Sequence, residues 1–361
     1  MRERNMAKKS IYLVSTEELA GKSAIALALA SILMERGLRV GYFKPIGVSS
    51  SLTHGKELHD EDVEIMKLIL KLRYSEDLIC PILLRGEEFL EDFMWGDSEL
   101  FMEKIRSSYK EISENCDVVL IESPHSFITG SYIGCPAPRI AKELNADMIL
   151  IEKAENDFIV DRVLQAQDIC IKWGTKLSGV ILNIVPSNKV ERFKGIIKQF
   201  IEKQGINVLG VIPEDRTLKA LTAREICDFI GGKVLAGKDG LDNFIEEILV
   251  GAMTPESAAK YFRRALNEAV ITGGDRTDII LTALETGVSA IILTGNLYPS
   301  VKVFPKADQL KVPLILVPYD TYTTLQYIQR TIGRIKPKDI RRIGAAINLV
   351  KAHVDLEKIL G

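Results

Sequence analysis

The sequence has few of the features that mark secreted, metal-binding or membrane proteins. Its 361 residues include only 5 cysteines and 4 histidines, and no Cys-x-x-Cys pair. An odd number of widely spaced cysteines does not form a disulfide framework. The longest nearly unbroken apolar stretch, residues 24–34, is much shorter than the about 18 residues of a membrane-spanning helix. No apolar signal-peptide core follows the basic start of the chain. We therefore expect a soluble cytoplasmic protein.

An excess of charge of either sign is also missing. Lys and Arg number 47 against 49 Asp and Glu, which gives a formal net charge of −2. This balance excludes a polybasic nucleic-acid-binding protein and an acidic disordered tail. Hydrophobic residues make up 47% of the chain, which is ample for a packed core. The length predicts about two domains.

Short apolar runs alternate with helix-length segments along the first 215 residues. Strands are predicted at residues 11–15, 40–44, 118–122, 148–152, 179–183 and 208–213, and helices at 24–36, 61–72, 157–173 and 190–204. Near-continuous apolar strands joined through helices are typical of a parallel sheet buried on both faces. The pattern predicts an α/β fold over residues 1–215, with a doubly wound, mostly parallel sheet.

A second, smaller α/β domain, with a C-terminal helix, is predicted for residues 216–361. Glycine and lysine concentrate at residues 231–240, where a boundary is plausible. Strands are expected at residues 248–250, 269–272, 290–293 and 314–317, and helices at 255–268, 278–286, 321–332 and from about 338.

The strongest local signal lies between the first predicted strand and the first helix. Residues 15–23 are Ser-Thr-Glu-Glu-Leu-Ala-Gly-Lys-Ser. In a phosphate-binding loop, backbone N–H groups point at the phosphate, a lysine reaches its oxygens and a hydroxyl binds Mg²⁺. Gly21, Lys22 and Ser23 supply the second half of that device. We predict nucleotide or phosphate binding here, and the alternative is a Gly-Lys-Ser helix start without a ligand.

The first half of this loop departs from the usual G-x-x-x-x-G-K-[ST] pattern. The pattern needs glycine at Thr16, and a spacing longer by one residue needs it at Ser15. A side chain at either position limits positive-φ geometry and close approach of the backbone to phosphate. Glu17 and Glu18 oppose a polyphosphate unless they face away from it or act through a metal ion.

Polar residues follow other predicted strands at their carboxyl ends, where ligands bind in open α/β sheets. Lys44 either holds an anionic substrate or lies solvated at its strand end. Asp60 and Asp62 suit a Mg²⁺ ion and the start of a helix equally well. Glu122 suits a Mg²⁺ ion that faces the loop, and Asn183 could read a base edge.

Histidines and cysteines point to no further chemistry. His54 and His59 lie five residues apart near acids, and we interpret them as polar loop residues rather than metal ligands. The cysteines are interpreted as small hydrophobic residues; they are Cys80, Cys116, Cys135, Cys170 and Cys227.

Together these motifs resemble those of the dethiobiotin-synthetase-like P-loop family. The matching parts are residues 15–23, Phe43-Lys44-Pro45, the strand-end Glu122, Leu182-Asn183 and Gly210-Val211-Ile212-Pro213. The resemblance implies that ATP and Mg²⁺ bind at the loop and that Lys44 meets a substrate carboxylate, so that Lys22 and Lys44 are the catalytic candidates. The implied cofactor-binding residues are Ser15, Thr16, Gly21, Lys22, Ser23, Asn183 and Pro213, the last two beside adenine, and the implied Mg²⁺ ligands are Ser23, Asp60, Asp62 and Glu122.

Three departures from related families bear on this resemblance. The loop lacks the additional lysine of ParA/MinD-type ATPases, which indicates a different branch. The loop also lacks its first glycine, and Glu122-Ser123-Pro124-His125 replaces the Glu-Gly-rich segment of the synthetases. The last two departures weaken the case for dethiobiotin-type chemistry more than the case for nucleotide binding.

The second domain resembles the DRTGG domain. The resemblance is carried by Ile271-Thr272-Gly273-Gly274-Asp275-Arg276-Thr277-Asp278, by residues 210–216 and 250–256 upstream, and by residues 293–300 and 317–324 downstream. A P-loop domain followed by a DRTGG domain is the order in the N-terminal regulatory region of long-form phosphate acetyltransferases. The resemblance covers nearly the whole chain, and the acetyltransferase domain that would follow is expected to be absent because the chain stops at Gly361.

The motif of the second domain can also be interpreted from its residues. Gly273 and Gly274 permit a tight strand-to-helix turn, and Asp275 can cap the helix that begins near Thr277. Arg276 either meets an anion at that helix start or forms a self-satisfied turn used for packing or dimerisation. The five residues therefore form a possible ligand site.

We favour a regulatory or sensor protein that binds a nucleotide, forms a dimer and partners with a separate acetyltransferase-type enzyme. Its DRTGG domain would mediate self-association or sense an effector. The alternatives are an ATP-dependent carboxylate-activating ligase of the dethiobiotin-synthetase type, a weak ATPase and a scaffold without nucleotide. Neither nucleic acid nor a membrane is expected as a partner.

Overall fold

The computed structural model describes residues 7–49, 60–84, 90–94, 96–264, 267–331 and 339–361. His54 and His59 lie outside these ranges. The chain divides into two compact units, one of residues 1–215 and 335–361 and the other of residues 216–334. Within the described ranges, no helix combines the length and the apolar character needed to cross a bilayer.

The first unit is built on a six-stranded parallel sheet. The strands of this unit, including two outside that sheet, are β1 (Lys9–Val14), β2 (Val40–Phe43), β3 (Ile46–Val48), β4 (Ile82–Leu84), β5 (Val118–Glu122), β6 (Asp147–Lys153), β7 (Leu177–Val185) and β8 (Val208–Pro213). The main sheet has the order β2-β5-β1-β6-β7-β8, and β3 pairs only with β4. All neighbours in the main sheet are parallel, which confirms the predicted doubly wound α/β architecture. The small β3–β4 pair was not predicted, because each strand has only three residues.

Helices cover this sheet. They are α1 (Lys22–Glu35), α2 (Glu61–Leu70), α3 (Glu76–Ile79), α4 (Ser98–Ser113), α5 (Ala137–Glu143), α6 (Ile159–Lys172), α7 (Val190–Arg192) and α8 (Lys198–Lys203). A π-helical turn, Phe193–Ile197, joins α7 to α8. The side chains of α1 are apolar on nearly all sides of the helix, because α1 is largely buried between the sheet and other helices.

The second unit contains a five-stranded sheet. The strands of this unit are β9 (Leu221–Thr222), β10 (Lys233–Ala236), β11 (Phe244–Ile245), β12 (Glu247–Val250), β13 (Glu268–Gly273), β14 (Ala290–Thr294) and β15 (Leu314–Leu316). The helices of this unit are α9 (Arg216–Lys219), α10 (Ala223–Phe229), α11 (Pro255–Phe262), α12 (Thr277–Thr286), α13 (Val303–Leu310) and α14 (Thr321–Thr331). The order is β10-β15-β14-β13-β12, with β10 antiparallel and β9 paired separately with β11. Val270 belongs to the apolar core on one face of the sheet, and Ala269 and Ile271 belong to the core on the other.

Two expectations for this unit were wrong. The helix predicted to run to residue 268 ends at Phe262, and β13 already begins at Glu268. Asn267 precedes β13 with a φ of 53°, a left-handed conformation that does not continue a helix. The stretch at residues 231–240 is not a boundary, because it contains β10, which pairs with β15 inside the unit.

The C-terminal segment forms α15 (Ile340–His353) and α16 (Leu356–Leu360). This segment was expected in the second domain, whereas in the structure it belongs to the first unit. Helix α15 packs against α1, and Val354 forms an antiparallel bridge with Gly210 of β8. A Cβ atom at Gly210 would lie 2.7 Å from the His353 carbonyl oxygen, so glycine permits this approach.

Candidate functional site

The loop between β1 and α1 lies at the carboxyl edge of the first sheet, where the strand order reverses around β1. Gly21 precedes the helix with a φ of 89°. A Cβ atom there would lie 2.3 Å from Nδ2 of Asn183. Both the left-handed backbone and the lack of space require glycine at this position.

Lys22, the first residue of α1, points back into the loop. Its side chain is largely buried, with 8% exposure. The ammonium group donates to Oγ of Ser15 at 2.6 Å and lies 3.3 Å from the carbonyl oxygen of His125. Burial lowers the pKa of Lys22 to about 8, although Glu122 acts in the opposite direction.

Glu122 ends β5 directly opposite the loop. Its fully buried carboxylate accepts hydrogen bonds from Oγ of Ser23 at 2.7 Å and from the hydroxyl of Tyr42 at 2.8 Å. Burial, and after it the charge of Asp62, raise the pKa of Glu122 to about 7. The structure thus brings together Lys22, Ser23 and Glu122, which the sequence singled out separately. Tyr42 was missed, since an apolar strand carries no signal for one buried hydroxyl.

Lys44 does not present a free cation to an anionic substrate. Its ammonium group lies 2.8 Å from Oδ1 of Asp60 and 2.5 Å from Oδ2 of Asp62. Burial alone would lower the pKa of Lys44, but the two carboxylates hold it well above its usual value. Asp60 also caps α2, accepting from the backbone N–H groups of Asp62 and Val63. The capping alternative for Asp60 therefore describes the structure.

A metal site made of acids alone is not present in the part of the chain that the structure describes. There, no three or more His, Cys, Asp or Glu side chains are grouped so that they could hold a metal ion. Asp60 and Asp62 are engaged by Lys44 instead. Mg²⁺ commonly needs only one or two protein oxygens beside phosphate and water, and Ser23 with Glu122 fits that requirement.

The two acids of the loop face partners outside it. Glu17 pairs with Arg162, whose Nη1 lies 3.1 Å from its carboxylate. Glu18 makes a close contact with Nδ1 of His125. Both acids therefore contact side chains outside the loop, which agrees with the expectation that they face away from a bound polyphosphate.

A third acid, Glu152, contacts the start of the loop. It follows an apolar run in β6 and is fully buried. Its carboxylate accepts from the backbone N–H of Thr16 at 2.6 Å and from the Thr16 hydroxyl at 2.8 Å. Glu152 was not among the predicted site residues, although an acid at the end of a predicted apolar strand is the same signal that identified Glu122.

The residues predicted beside adenine lie at the ends of β7 and β8. Asn183 is 7% exposed and donates from Nδ2 to the carbonyl oxygen of Ala20 at 2.8 Å. Asn183 therefore holds the loop between β1 and α1 through this hydrogen bond. Pro213 is half-buried and pairs with Val185 across the two strands. A contact of either residue with a base stays a prediction.

The glycine-containing motif of the second unit, residues 273–277, is tightly packed and does not form an open site. A Cβ atom at Gly274 would lie 1.6 Å from the carbonyl oxygen of Leu297, so glycine is needed for space. Arg276 donates to both carboxylate oxygens of Asp278 at 3.0 Å and to the carbonyl oxygen of Met253 at 3.2 Å.

The predicted cap of α12 was wrong. The residue before the helix is Arg276, and no side chain caps it. Asp275 instead lies near Gly273, where an added Cβ would meet its Oδ1 at 2.6 Å, and its carbonyl oxygen accepts from the Thr277 N–H. These contacts agree with the self-satisfied turn that our sequence analysis set against a ligand site.

Comparison with known families and proteins separates the two parts of the chain. Residues 9–222 match the family model described as AAA domain, and residues 225–331 match the model described as DRTGG domain. Phosphate acetyltransferase of Nitratidesulfovibrio vulgaris is 26% identical, covering 97% of this chain and 51% of that protein. Its Synechocystis counterpart is 27% identical with the same two coverages. The chain therefore spans about half the length of these curated relatives.

Solved structures show looser likenesses. The septum site-determining protein MinD from Pyrococcus horikoshii, complexed with Mg-ADP, is 20% identical and covers 58% of this chain and 83% of its own, with a TM-score of 0.37. The CBS and DRTGG domains of the regulatory region of Clostridium perfringens pyrophosphatase, complexed with the activator diadenosine tetraphosphate, are 17% identical. They cover 38% of this chain and 69% of theirs, with a TM-score of 0.28.

Proposed function

The chain belongs to the AAA domain family through residues 9–222 and carries a DRTGG domain at residues 225–331, and from this membership we propose that its first unit binds ATP with Mg²⁺. We further propose that the protein is a regulator or sensor rather than a full catalyst. Its homology to the N-terminal region of phosphate acetyltransferases supports this proposal.

The observation that carries the proposal is the meeting of Lys22, Ser23 and Glu122 at the start of α1. The first N–H groups of a helix have no acceptor within it and attract anions. On binding, the ammonium group of Lys22 would exchange the hydroxyl of Ser15 for phosphate oxygens. Ser23 and Glu122 would hold Mg²⁺, which neutralises phosphate charge when bound.

The ion pairs of Lys44 favour a regulator over a carboxylate-activating ligase. A ligase of that kind would need this ammonium group to hold a substrate carboxylate. Asp60 and Asp62 already hold it, and both would have to be displaced at a buried position, which is energetically unfavourable.

The DRTGG domain would serve self-association or the sensing of a second ligand. A dimer, a cytoplasmic location and a separate acetyltransferase-type enzyme as partner are parts of the same proposal. The tightly packed glycine turn of the DRTGG domain favours a structural or self-association role for that motif over a ligand site at Arg276.

Calorimetric titration of MgATP tests the proposal, with phosphate release followed in the same samples. Wild type and a control, Lys110→Ala on the exposed face of α4, should bind equally. Lys22→Ala should lose binding because the charge that meets the phosphates is gone, and no sample should turn over. Equal binding by wild type and Lys22→Ala would contradict the nucleotide site. Turnover that depends on a small carboxylate would instead support the ligase.

A further inference from the structure

Thr16 occupies the position of the first glycine in the phosphate-loop pattern. Its backbone N–H and its hydroxyl both donate hydrogen bonds to one carboxylate. The backbone N–H and the hydroxyl of Thr16 lie 2.6 Å and 2.8 Å from the two oxygens of Glu152. Glycine would offer only the N–H. The side chain that breaks the sequence pattern therefore adds a second hydrogen bond.

Strand register brings these two residues together. Strands β1 and β6 are parallel neighbours, and Val14 pairs with Leu150. Two residues further along the chain lie Thr16, in the loop after β1, and Glu152, in β6. The contact thus follows from the order of the sheet and joins residues that are 136 positions apart in the sequence.

The carboxylate of Glu152 is fully buried, so it needs compensation. Thr16 supplies two hydrogen bonds, and Nε of Arg162 lies 3.4 Å from Oε2. Arg162 also pairs with Glu17 and donates to the carbonyl oxygen of Lys153 at 2.6 Å. One cation therefore connects the buried acid to the next residue of the loop.

The loop is held at both ends. Glu152 fixes Thr16 at its start, and Asn183 fixes Ala20 near its end through the 2.8 Å hydrogen bond to the carbonyl oxygen. Glu152 itself lies beside the strand end and forms no part of the helix start at Lys22 and Ser23.

We propose that Glu152 is a positioning residue for the phosphate loop and that its hydrogen bonds to Thr16 replace the missing first glycine. This inference rests on the proposed nucleotide binding. Its effect has a distinctive sign. A negative charge near an anion site weakens binding, so removing the charge alone would strengthen it. If Glu152 positions the loop, its removal weakens binding.

The test is MgATP affinity in Glu152→Gln, with Glu155→Gln as the matched control. Glu155 lies near the same strand end and is exposed, so its substitution removes a charge without touching the loop. We expect Glu152→Gln to bind about tenfold more weakly, or worse, because hydrogen bonds to a charged group are lost. Glu155→Gln should bind as tightly as wild type or slightly more tightly.

Variants of Thr16 test the same contact from the other side. Thr16→Val keeps the shape and the N–H but loses the hydroxyl, and should weaken binding about tenfold. Thr16→Ser keeps the hydroxyl and should bind within about twofold of wild type. The double variant Thr16→Val/Glu152→Gln should lose less than the sum of the single losses, because both break one contact. If Glu152→Gln does not fold, the Thr16 variants carry the test.

Amide hydrogen exchange gives a readout that does not need a nucleotide. The Thr16 N–H should be protected in wild type and in Glu155→Gln, and should exchange faster in Glu152→Gln. If Glu152→Gln binds MgATP as well as Glu155→Gln, the inference is overturned. If wild type binds no MgATP, the proposed function fails, and unchanged exchange at Thr16 would then overturn the inference separately.

Discussion

At the residue scale, the charge of Glu122 is sensitive to pH near neutrality. Burial raises its pKa to about 7, while hydrogen bonds from Ser23 and the charge of Lys22 partly oppose this. The folded state therefore binds this proton more tightly than the unfolded state does. The resulting stabilisation is complete below the unfolded pKa and is lost as the pH rises through about 7.

Glu122→Gln should remove this dependence. Between pH 5 and pH 8, the free energy of unfolding of wild type should fall relative to that of the variant by on the order of 1–3 kcal/mol. Urea unfolding at the two pH values measures the difference. Glu202→Gln, on the exposed face of α8, serves as the control and should follow wild type. Parallel pH curves for wild type and Glu122→Gln would show that the carboxyl group titrates elsewhere.

At the element scale, two glycines differ in what surrounds them. Gly274 packs against the backbone of Leu297 just after β13, whereas Gly344 lies inside α15, where an added Cβ would meet no described atom within 4 Å apart from the backbone of its own helix and its chain neighbours. The same substitution should therefore have opposite effects at the two positions.

Gly274→Ala should lower stability by about 1–3 kcal/mol, because the backbone of the neighbouring loop has to move. Gly344→Ala should raise it by about 0.5–1 kcal/mol, because alanine loses less conformational entropy in a helix. Calorimetric melting of the full chain measures both. A neutral Gly274→Ala would mean that the glycine pair serves something other than close packing.

At the scale of the whole molecule, the C-terminal helix completes the first unit. Helix α15 packs on α1, the helix that begins with Lys22, and Val350 is 2% exposed. Ion pairs join Lys351 to Glu35 and Arg36 to Glu357 at the edge of this contact. Packing on α1 therefore depends on residues more than 300 positions away.

Val350→Asp should loosen the packing of α15 on α1, because it introduces an unpaired charge at a buried position of α15. Hydrogen exchange of the α1 amides should accelerate about tenfold or more, as a loss of more than 1.4 kcal/mol of local stability implies. Asn348→Asp, on the exposed face of α15, should leave exchange unchanged. Unchanged hydrogen exchange of the α1 amides in Val350→Asp would contradict the claim that α15 stabilises α1.

Much of the fold was predictable because it depends on local patterns. The apolar runs at residues 118–122 and 208–213 match β5 and β8 at both ends. The helix predicted from residue 24 begins two residues earlier, at Lys22. Short strands such as β3 and the edge strand β10 were missed, since a few residues carry too little periodicity to separate a strand from a turn.

By itself, the sequence determined the architecture of the first unit, the position of the loop before α1 and the acid that ends β5. Only the tertiary structure decided how these residues pair: Lys44 with Asp60 and Asp62, Glu152 with Thr16, and α15 with α1. The physical reason is that hydrophobic periodicity and turn chemistry act over a few residues, whereas these pairings depend on strand order, register and which apolar faces meet.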